Sequence, residues 1–155
     1  MEDLSLHILD VVENSLDAGA KTVQIDIFED VESDLLRIEI LDDGRGMDEE
    51  TLQRSLDPFF TTKTVRRVGL GLSLFRDAAR AAGGDLVIKS QVGQGTDVIA
   101  TFQNSHIDRQ PVGDLTQTLK TLIVGHPEVR FIFRYRGDDG GFEFDSQKPP
   151  MSGKE

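Results

Sequence analysis

The chain has 155 residues, no cysteine and a formal net charge of −11, because 17 basic side chains stand against 28 acidic ones. This length suits one domain with a core of its own, and the lack of cysteine excludes disulfides and cysteine-ligated zinc sites. The acidic balance argues against a nucleic-acid partner. No apolar run reaches the roughly 18 residues of a membrane span. Since the first residues are acidic rather than basic, we expect a cytoplasmic protein.

The first part of the chain predicts a helix and then two strands. Residues 4–17 carry a wide apolar stripe at helical spacing, and Gly19 is typical of a helix C terminus. Residues 23–27 alternate between apolar and polar side chains, as a half-buried strand does, and residues 36–40 repeat the pattern. Because only a short acidic turn separates these two strands, we expect them to pair antiparallel.

The rest of the chain predicts further helices and strands in a regular order. Asp48 begins a short helix, and an irregular stretch over residues 57–71 precedes a helix from about Leu72 to Ala82. The later elements are strands over 85–90 and 97–102, a helix over 111–124, and a hairpin of 129–135 with 141–145. We divide the chain into a core (1–103), a C-terminal helix and hairpin packed on that core (104–146), and a flexible tail (147–155).

Three polar side chains of the first predicted helix share one stripe. Asp10, Asn14 and Asp17 are spaced i, i+4 and i+7 on a helix that is otherwise apolar. A lone asparagine there is most simply solvent-facing, but glycine pairs follow at 42–46 and 69–71. A carboxylate that accepts from an amine, an amide oxygen for a hard cation and free amides at a helix N terminus suit a magnesium nucleotide. Neither a dinucleotide fingerprint nor a phosphate loop of the Walker type is present.

These segments resemble, in the same order, the motifs of the GHKL ATPases, which comprise histidine kinases, type II topoisomerases, MutL-type mismatch-repair ATPases and heat-shock chaperones. Residues 13–20 (Glu-Asn-Ser-Leu-Asp-Ala-Gly-Ala) are similar to the mismatch-repair form of the Asn box, and residues 42–47 match the first glycine box. Residues 57–63 and 69–74 look like the phenylalanine box and second glycine box of histidine kinases, and residues 93–96 complete the set.

The resemblance implies a fold and a set of ligand contacts. The fold is the Bergerat α/β two-layer sandwich, with a mixed, mostly antiparallel sheet, helices on one face, and ATP between the helices and a lid. Asn14 is implied as the Mg²⁺ ligand, Asp42 as the acceptor of the adenine amine beside Gly44 and Gly46, and Thr96 as support for the adenine end. The other implied ATP contacts are Asp17, Met47, Thr62, Lys63, Gly69, Leu70, Gly71 and Leu72.

Two departures from the family pattern concern the reaction. The family's ATPases usually place glutamate four residues before the metal-binding asparagine, where this chain has Asp10. We therefore expect Asp10 to be the catalytic carboxylate of a slow hydrolysis reaction. The lid, residues 64–68, is shorter than that of most histidine kinases, which predicts a smaller lid movement than in a sensor kinase.

Three functions stay open at this point. The first is a stand-alone kinase or slow ATPase acting on a separate, unidentified protein; the second is an ATP-gated protein-binding switch like an anti-sigma factor. A mismatch-repair-like ATPase would need a second domain. His106 faintly resembles a phosphoacceptor box but follows the ATP-binding core, so we expect a connector there. The aromatic hairpin is expected to extend the sheet, with partner docking as the alternative, and a homodimer also stays open.

Overall fold

The structure, a computed structural model, describes residues 3–57, 66–138 and 140–147. Its helices and strands follow the predicted order. They are α1 (Leu4–Asp17), β1 (Thr22–Asp30), β2 (Leu35–Asp42), α2 (Glu49–Ser55), α3 (Arg66–Ala81), β3 (Asp85–Gln91), β4 (Gly95–Gln103), α4 (Leu115–Gly125), β5 (Arg130–Gly137) and β6 (Gly140–Asp145). No helix in these ranges is long and apolar enough to cross a membrane.

The strands form one mixed sheet in the order β3-β4-β2-β1-β5-β6. β1 pairs antiparallel with β2, as predicted, and the pairs β2/β4, β3/β4 and β5/β6 are also antiparallel. β5 is parallel to β1, because α4 carries the chain back across the sheet before β5 begins. The predicted aromatic hairpin therefore extends the sheet beyond β1, which leaves β6 as one edge.

The core lies on one face of this sheet, under the helices. The inward side chains alternate along each strand, as Ile25 of β1, Ile38 of β2 and Phe102 of β4 illustrate, each at most 1% exposed. Ile8 of α1 and Phe75 of α3 are fully buried against them. The opposite sheet face carries mainly polar and charged side chains, so the described part of the chain has two layers. The expected α/β two-layer sandwich is confirmed.

Two helix boundaries differ from the sequence prediction. α3 begins at Arg66 rather than near Leu72, because glycine lowers helix propensity by only about 1 kcal/mol per residue and buried Phe75 and Ala79 hold the helix on the sheet. α4 begins at Leu115 rather than near residue 111, because the Asp114 carboxylate accepts a hydrogen bond from the Gln117 amide and caps the helix there. The tail residues 148–155 lie outside the described residues.

Candidate functional site

A cavity of about 380 Å³ lies between α1, the loop after β2 and the first turns of α3. The ends of β2 and β4 form its floor. Seven of the residues expected from the sequence to contact ATP line it together: Asn14, Asp17, Asp42, Gly46, Met47, Leu72 and Thr96. Residues that are more than 80 positions apart in the chain thus meet at one place.

Asp42, the last residue of β2, is held in a fixed orientation by two donors. The Ser15 hydroxyl donates to its Oδ2 at 2.6 Å, and the Gly44 amide donates to its Oδ1 at 2.8 Å. Ser15 comes from α1 and is only 2% exposed, so this contact fastens α1 to the end of the strand. Each carboxylate oxygen has two acceptor positions, and the carboxylate can still accept a hydrogen bond from a ligand in the cavity.

Asn14 presents an amide that makes no hydrogen bond within the described part of the chain. Its Oδ1 and Nδ2 are both buried, and neither has a hydrogen-bond partner among those residues. Leaving such groups unsatisfied costs about 1–3 kcal/mol each, so a polar ligand or cation that reached this amide would remove that cost. Among the described residues, no three acidic or histidine side chains cluster as a metal site, so a cation here would take most of its ligands from a bound molecule or from water.

The glycines of the loop after β2 are required by the protein's own packing. Gly46 has φ +73°, and a Cβ on it would lie 1.9 Å from the carbonyl oxygen of Gln91. A Cβ on Gly44 would lie 2.9 Å from the Cβ of Ala18. The loop therefore sits directly against the end of β3 on one side and the end of α1 on the other, and this packing fixes the backbone that borders the cavity.

Thr96 is fixed by a serine that the sequence analysis did not single out. Thr96 pairs with Asp42 across the β2/β4 ladder, and its hydroxyl lies 2.8 Å from the Ser90 hydroxyl of β3. Ser90 also accepts a hydrogen bond from the Met47 amide at 2.8 Å. The Ser90 side chain thus ties the loop after β2 to β3, which carries Ser90, and to β4, which carries Thr96.

Arg45 belongs to the loop after β2 and joins that loop to the end of α1. The sequence analysis did not single it out. The Arg45 guanidinium donates to the Asp17 carbonyl at 3.0 Å, and the Arg45 amide donates to the Ala18 carbonyl at 2.9 Å. Both acceptors are at the C-terminal end of α1, where carbonyls lack partners within the helix and a cation is favourable. Arg45 also lines the cavity. The only sequence signals for Ser15 and Arg45 were their places inside the two motifs.

The structure describes some of the residues that are expected to lie near the phosphates. Asp10 lies one helical turn before Asn14 on α1 and is half-buried. Gly69, Leu70 and Gly71 belong to the first two turns of α3, instead of preceding the helix as the sequence suggested. Thr62 and Lys63 lie outside the described residues. Their contacts with ATP, and the catalytic role of Asp10, stay predictions.

Comparison with protein families gives a match over the part of the chain that carries this site. Residues 2–106 match the model of the family described as histidine kinase-, DNA gyrase B-, and HSP90-like ATPase. That span contains α1 to β4 and all of the residues expected to contact ATP. The match stops before α4, so the helix and hairpin of the C-terminal part lie outside it.

Curated proteins with similar sequences include sensor kinases. The chain is 40% identical over 89 residues to sensor protein kinase FleS of Pseudomonas aeruginosa, covering 57% of this chain and 22% of that protein. It is 30% identical over 111 residues to sensor histidine kinase WalK of Bacillus subtilis, covering 65% of this chain and 18% of that protein. The chain thus spans about a fifth of the length of these relatives.

Solved structures with a similar fold include the following two domains. The N-terminal domain of a DNA repair protein matches with a TM-score of 0.61 at 16% identity, over 94% of this chain and 52% of that one. The Aquifex aeolicus MutL ATPase domain complexed with ADP matches with a TM-score of 0.51 at 19% identity, over 88% of this chain and 61% of that one. At these identities the likeness concerns the fold.

Proposed function

Because the chain belongs to the family of histidine kinase-, DNA gyrase B- and HSP90-like ATPases, we propose that it binds ATP with Mg²⁺ and acts on a separate protein as a stand-alone kinase or slow ATPase. The observation that carries this proposal is the pairing of two groups in one cavity. Asp42 offers a carboxylate held by two donors, and Asn14 offers a buried amide that has no partner among the described residues. A magnesium nucleotide has an amine on its base that could donate to Asp42, and a cation at its phosphates that could bind the Asn14 amide oxygen.

The base of the nucleotide is assigned to the Asp42 end of the cavity. A carboxylate accepts hydrogen bonds and cannot donate them, so it suits the exocyclic amine of adenine and disfavours the carbonyl that guanine has at that position. The Ser15 and Gly44 donors hold the carboxylate oxygens in place before the ligand arrives. This fixed orientation favours nucleotide binding, because the Asp42 carboxylate loses little conformational freedom when the ligand arrives.

The triphosphate and its cation are assigned to the Asn14 end. The Asn14 amide oxygen would be one ligand of Mg²⁺, which prefers oxygen donors in an octahedral arrangement and usually keeps phosphate oxygens and water as the others. The bound ion would offset the negative charge of the phosphates. The fit rests on Asn14 itself, since its buried Oδ1 has no partner in the part of the chain that the structure describes.

A separate protein is the proposed phosphate acceptor because the chain's own candidate is remote. On β4, Thr96 lies at the cavity, and Gln103, three residues before His106, lies at the other end of the strand. Seven residues of an antiparallel strand span about 24 Å, so His106 lies at the opposite end of the sheet from the cavity. The sensor kinases among the similar proteins support phosphotransfer as the reaction class.

A nucleotide-gated protein-binding switch is the second candidate, and Asp10 favours it. Phosphoryl transfer to water depends on positioning the attacking group, and aspartate is one methylene shorter than the glutamate expected at this place. A carboxylate that falls about 1 Å short can slow the reaction about a hundredfold. A protein that hydrolyses ATP slowly stays in its ATP-bound form long enough for a partner to recognise that form.

Two measurements, made one after the other, test the proposal. Calorimetric titration with ADP, with and without Mg²⁺, asks whether the cavity binds the nucleotide; no binding under either condition contradicts both candidate functions. Incubation with γ-labelled ATP and a candidate partner then separates them, because only a kinase transfers label to the partner. The Asp42→Asn variant is the control. If the label is transferred from ATP bound in this cavity, the variant transfers less of it.

A further inference from the structure

Two arginines hold a phenylalanine between them on the sheet face that the helices leave open. Phe28 of β1 pairs with Arg37 of β2 on one side and with Arg136 of β5 on the other. The guanidinium carbons of Arg37 and Arg136 lie 5.5 Å and 5.6 Å from the centre of its ring. This is within the range of a cation–π contact. We call Arg37, Phe28 and Arg136 the arginine clamp.

Among the described residues, no ion pair offsets the positive charge of the clamp, although Glu39 attracts Arg37 electrostatically without forming one. In the described part of the chain, neither Arg37 nor Arg136 has a hydrogen bond or salt bridge to a carboxylate. The third arginine of the group, Arg134, is engaged: its Nε donates to Glu143 at 3.0 Å. The chain has net charge −11, so carboxylates are plentiful, yet the two guanidinium groups on this ring are bonded to none of those described.

A cavity of about 290 Å³ opens beside the clamp, and its charges restrict the ligand. The clamp arginines and Arg134 line it together with the carboxylates of Asp26 and Glu143. Three positive and two negative side chains leave one net positive charge. That balance suits a monoanion, whereas a dianion such as a phosphate ester would meet the two carboxylates with an excess of negative charge.

From this arrangement we propose that the arginine clamp binds a carboxylate side chain from an acidic segment of a protein partner. A guanidinium presents its donors in a planar fork that matches the two oxygens of a carboxylate. Stacking on Phe28 holds both forks in place, so less side-chain freedom is lost on binding. Access is open from the sheet edge, because the neighbour of Arg136 on β6 is Gly141, which carries no side chain.

The clamp is separate from the nucleotide cavity. Arg37 stands five residues before Asp42 on β2, a distance of about 17 Å along the strand, and its side chain is on the opposite face of the sheet from the core. Substitutions at the clamp are therefore expected to leave ADP affinity unchanged. This makes the proposal testable independently of the proposed function.

The test uses the full chain and a fluorescein-labelled peptide of six glutamates, followed by fluorescence anisotropy. A six-glutamine peptide and a peptide with phosphoserine in place of the glutamates are the comparison probes. The measurements are made at about 0.1 M ionic strength, where charges more than about 10 Å from the ligand are largely screened. The variants are Arg37→Gln, Arg136→Gln and, as a control on the same open face, Lys89→Gln. Thermal unfolding of each variant checks the fold.

We expect the glutamate peptide to bind, the glutamine peptide not to bind, and each clamp variant to lose about fivefold in affinity, as for one exposed charge pair. Lys89→Gln should change the affinity less than twofold, a margin that separates it from a paired charge. Unchanged binding in both clamp variants would overturn the proposal, as would an equal loss in Lys89→Gln, which would indicate net charge alone. Tighter, clamp-dependent binding of the phosphoserine peptide would overturn the assignment to a carboxylate. Because Arg136 is exposed, its variant stays informative if Arg37→Gln is destabilised.

Discussion

Replacing Asp42 by asparagine isolates the charge of one side chain in the cavity. Asparagine has the same shape, and its Oδ1 can still accept the hydrogen bond from the Gly44 amide, which is 2.8 Å long in the native protein. Its Nδ2 would replace the oxygen that faces Ser15 at 2.6 Å, and the Ser15 hydroxyl can rotate to accept from it. The substitution therefore removes a negative charge while leaving the local hydrogen bonds possible.

The expected effect on nucleotide binding follows from this comparison. A hydrogen bond to a charged acceptor contributes about 1.5–3 kcal/mol, against about 1 kcal/mol for a neutral pair. Because the asparagine amide would also place a donor towards the adenine amine, we expect a loss of about 2 kcal/mol, or about thirtyfold in the dissociation constant. Calorimetry with ADP and Mg²⁺ measures the loss without turnover of the nucleotide.

Ser15→Ala is the matched control for this experiment. It keeps the Asp42 charge and removes one of the two donors that orient it, so we expect a loss of about 1 kcal/mol, or about fivefold. Urea unfolding of both variants checks that the fold is retained. ADP affinity in Asp42→Asn equal to that of the native chain, with the fold intact, would refute the placement of adenine at Asp42.

Other substitutions separate the roles of the remaining residues. Asn14→Ala should weaken magnesium-dependent ADP binding in calorimetry, yet raise the urea midpoint, because it removes two buried polar atoms that lack partners among the described residues. Gly46→Ala should be less stable in urea than Gly93→Ala by about 2 kcal/mol, since both have positive φ but a Cβ at Gly93 meets open space. Asp10→Glu should raise ATP hydrolysis in a coupled assay, because the longer side chain reaches about 1 Å further. The chain alone should incorporate no label at His106 from γ-labelled ATP.

Each of these expectations has a result that contradicts it. Unchanged magnesium dependence in Asn14→Ala would remove Asn14 from the cation site. Equal stability of the two glycine variants would mean that the loop moves away from β3 at little cost. Fast hydrolysis by the native chain that disappears in Asp10→Ala would identify Asp10 as a base that is already well placed. Acid-labile phosphate on His106 would contradict the assignment of the phosphate acceptor to a separate protein.

The sequence was a good guide to local structure because local structure depends on short-range patterns. The apolar stripe of residues 4–17 predicted α1 with its bounds, and strand alternation predicted β1 and β2. The order of the strands in the sheet could not be predicted in this way. β5 pairs in parallel with β1, although more than 80 residues separate the two strands in the chain. This pairing depends on how α4 packs, and no local sequence pattern records that.

The site was predictable to the extent that its residues belong to recognisable motifs. Asn14 and Asp42 carry chemistry that stands out in a sequence, an amide on an apolar helix and a carboxylate before glycines. Ser15 and Ser90 do not, because a serine is common in helices, strands and turns alike. Their roles exist only after folding, when Ser15 of α1 meets Asp42 and Ser90 of β3 meets Met47 and Thr96.

The glycines beside the cavity show how the fold prepares the site before any nucleotide binds. Glycines next to a nucleotide site suggest a backbone that closes on the ligand, yet at Gly46 and Gly95 a Cβ would meet the protein's own backbone, at 1.9 Å from Gln91 and 2.0 Å from Asp42 respectively. Both residues also have positive φ, which glycine adopts without strain. These contacts lock the loop after β2 onto the β3/β4 turn. Since that loop supplies the Gly44 amide that orients Asp42, the position of the carboxylate is set by packing, and the ligand does not have to impose it.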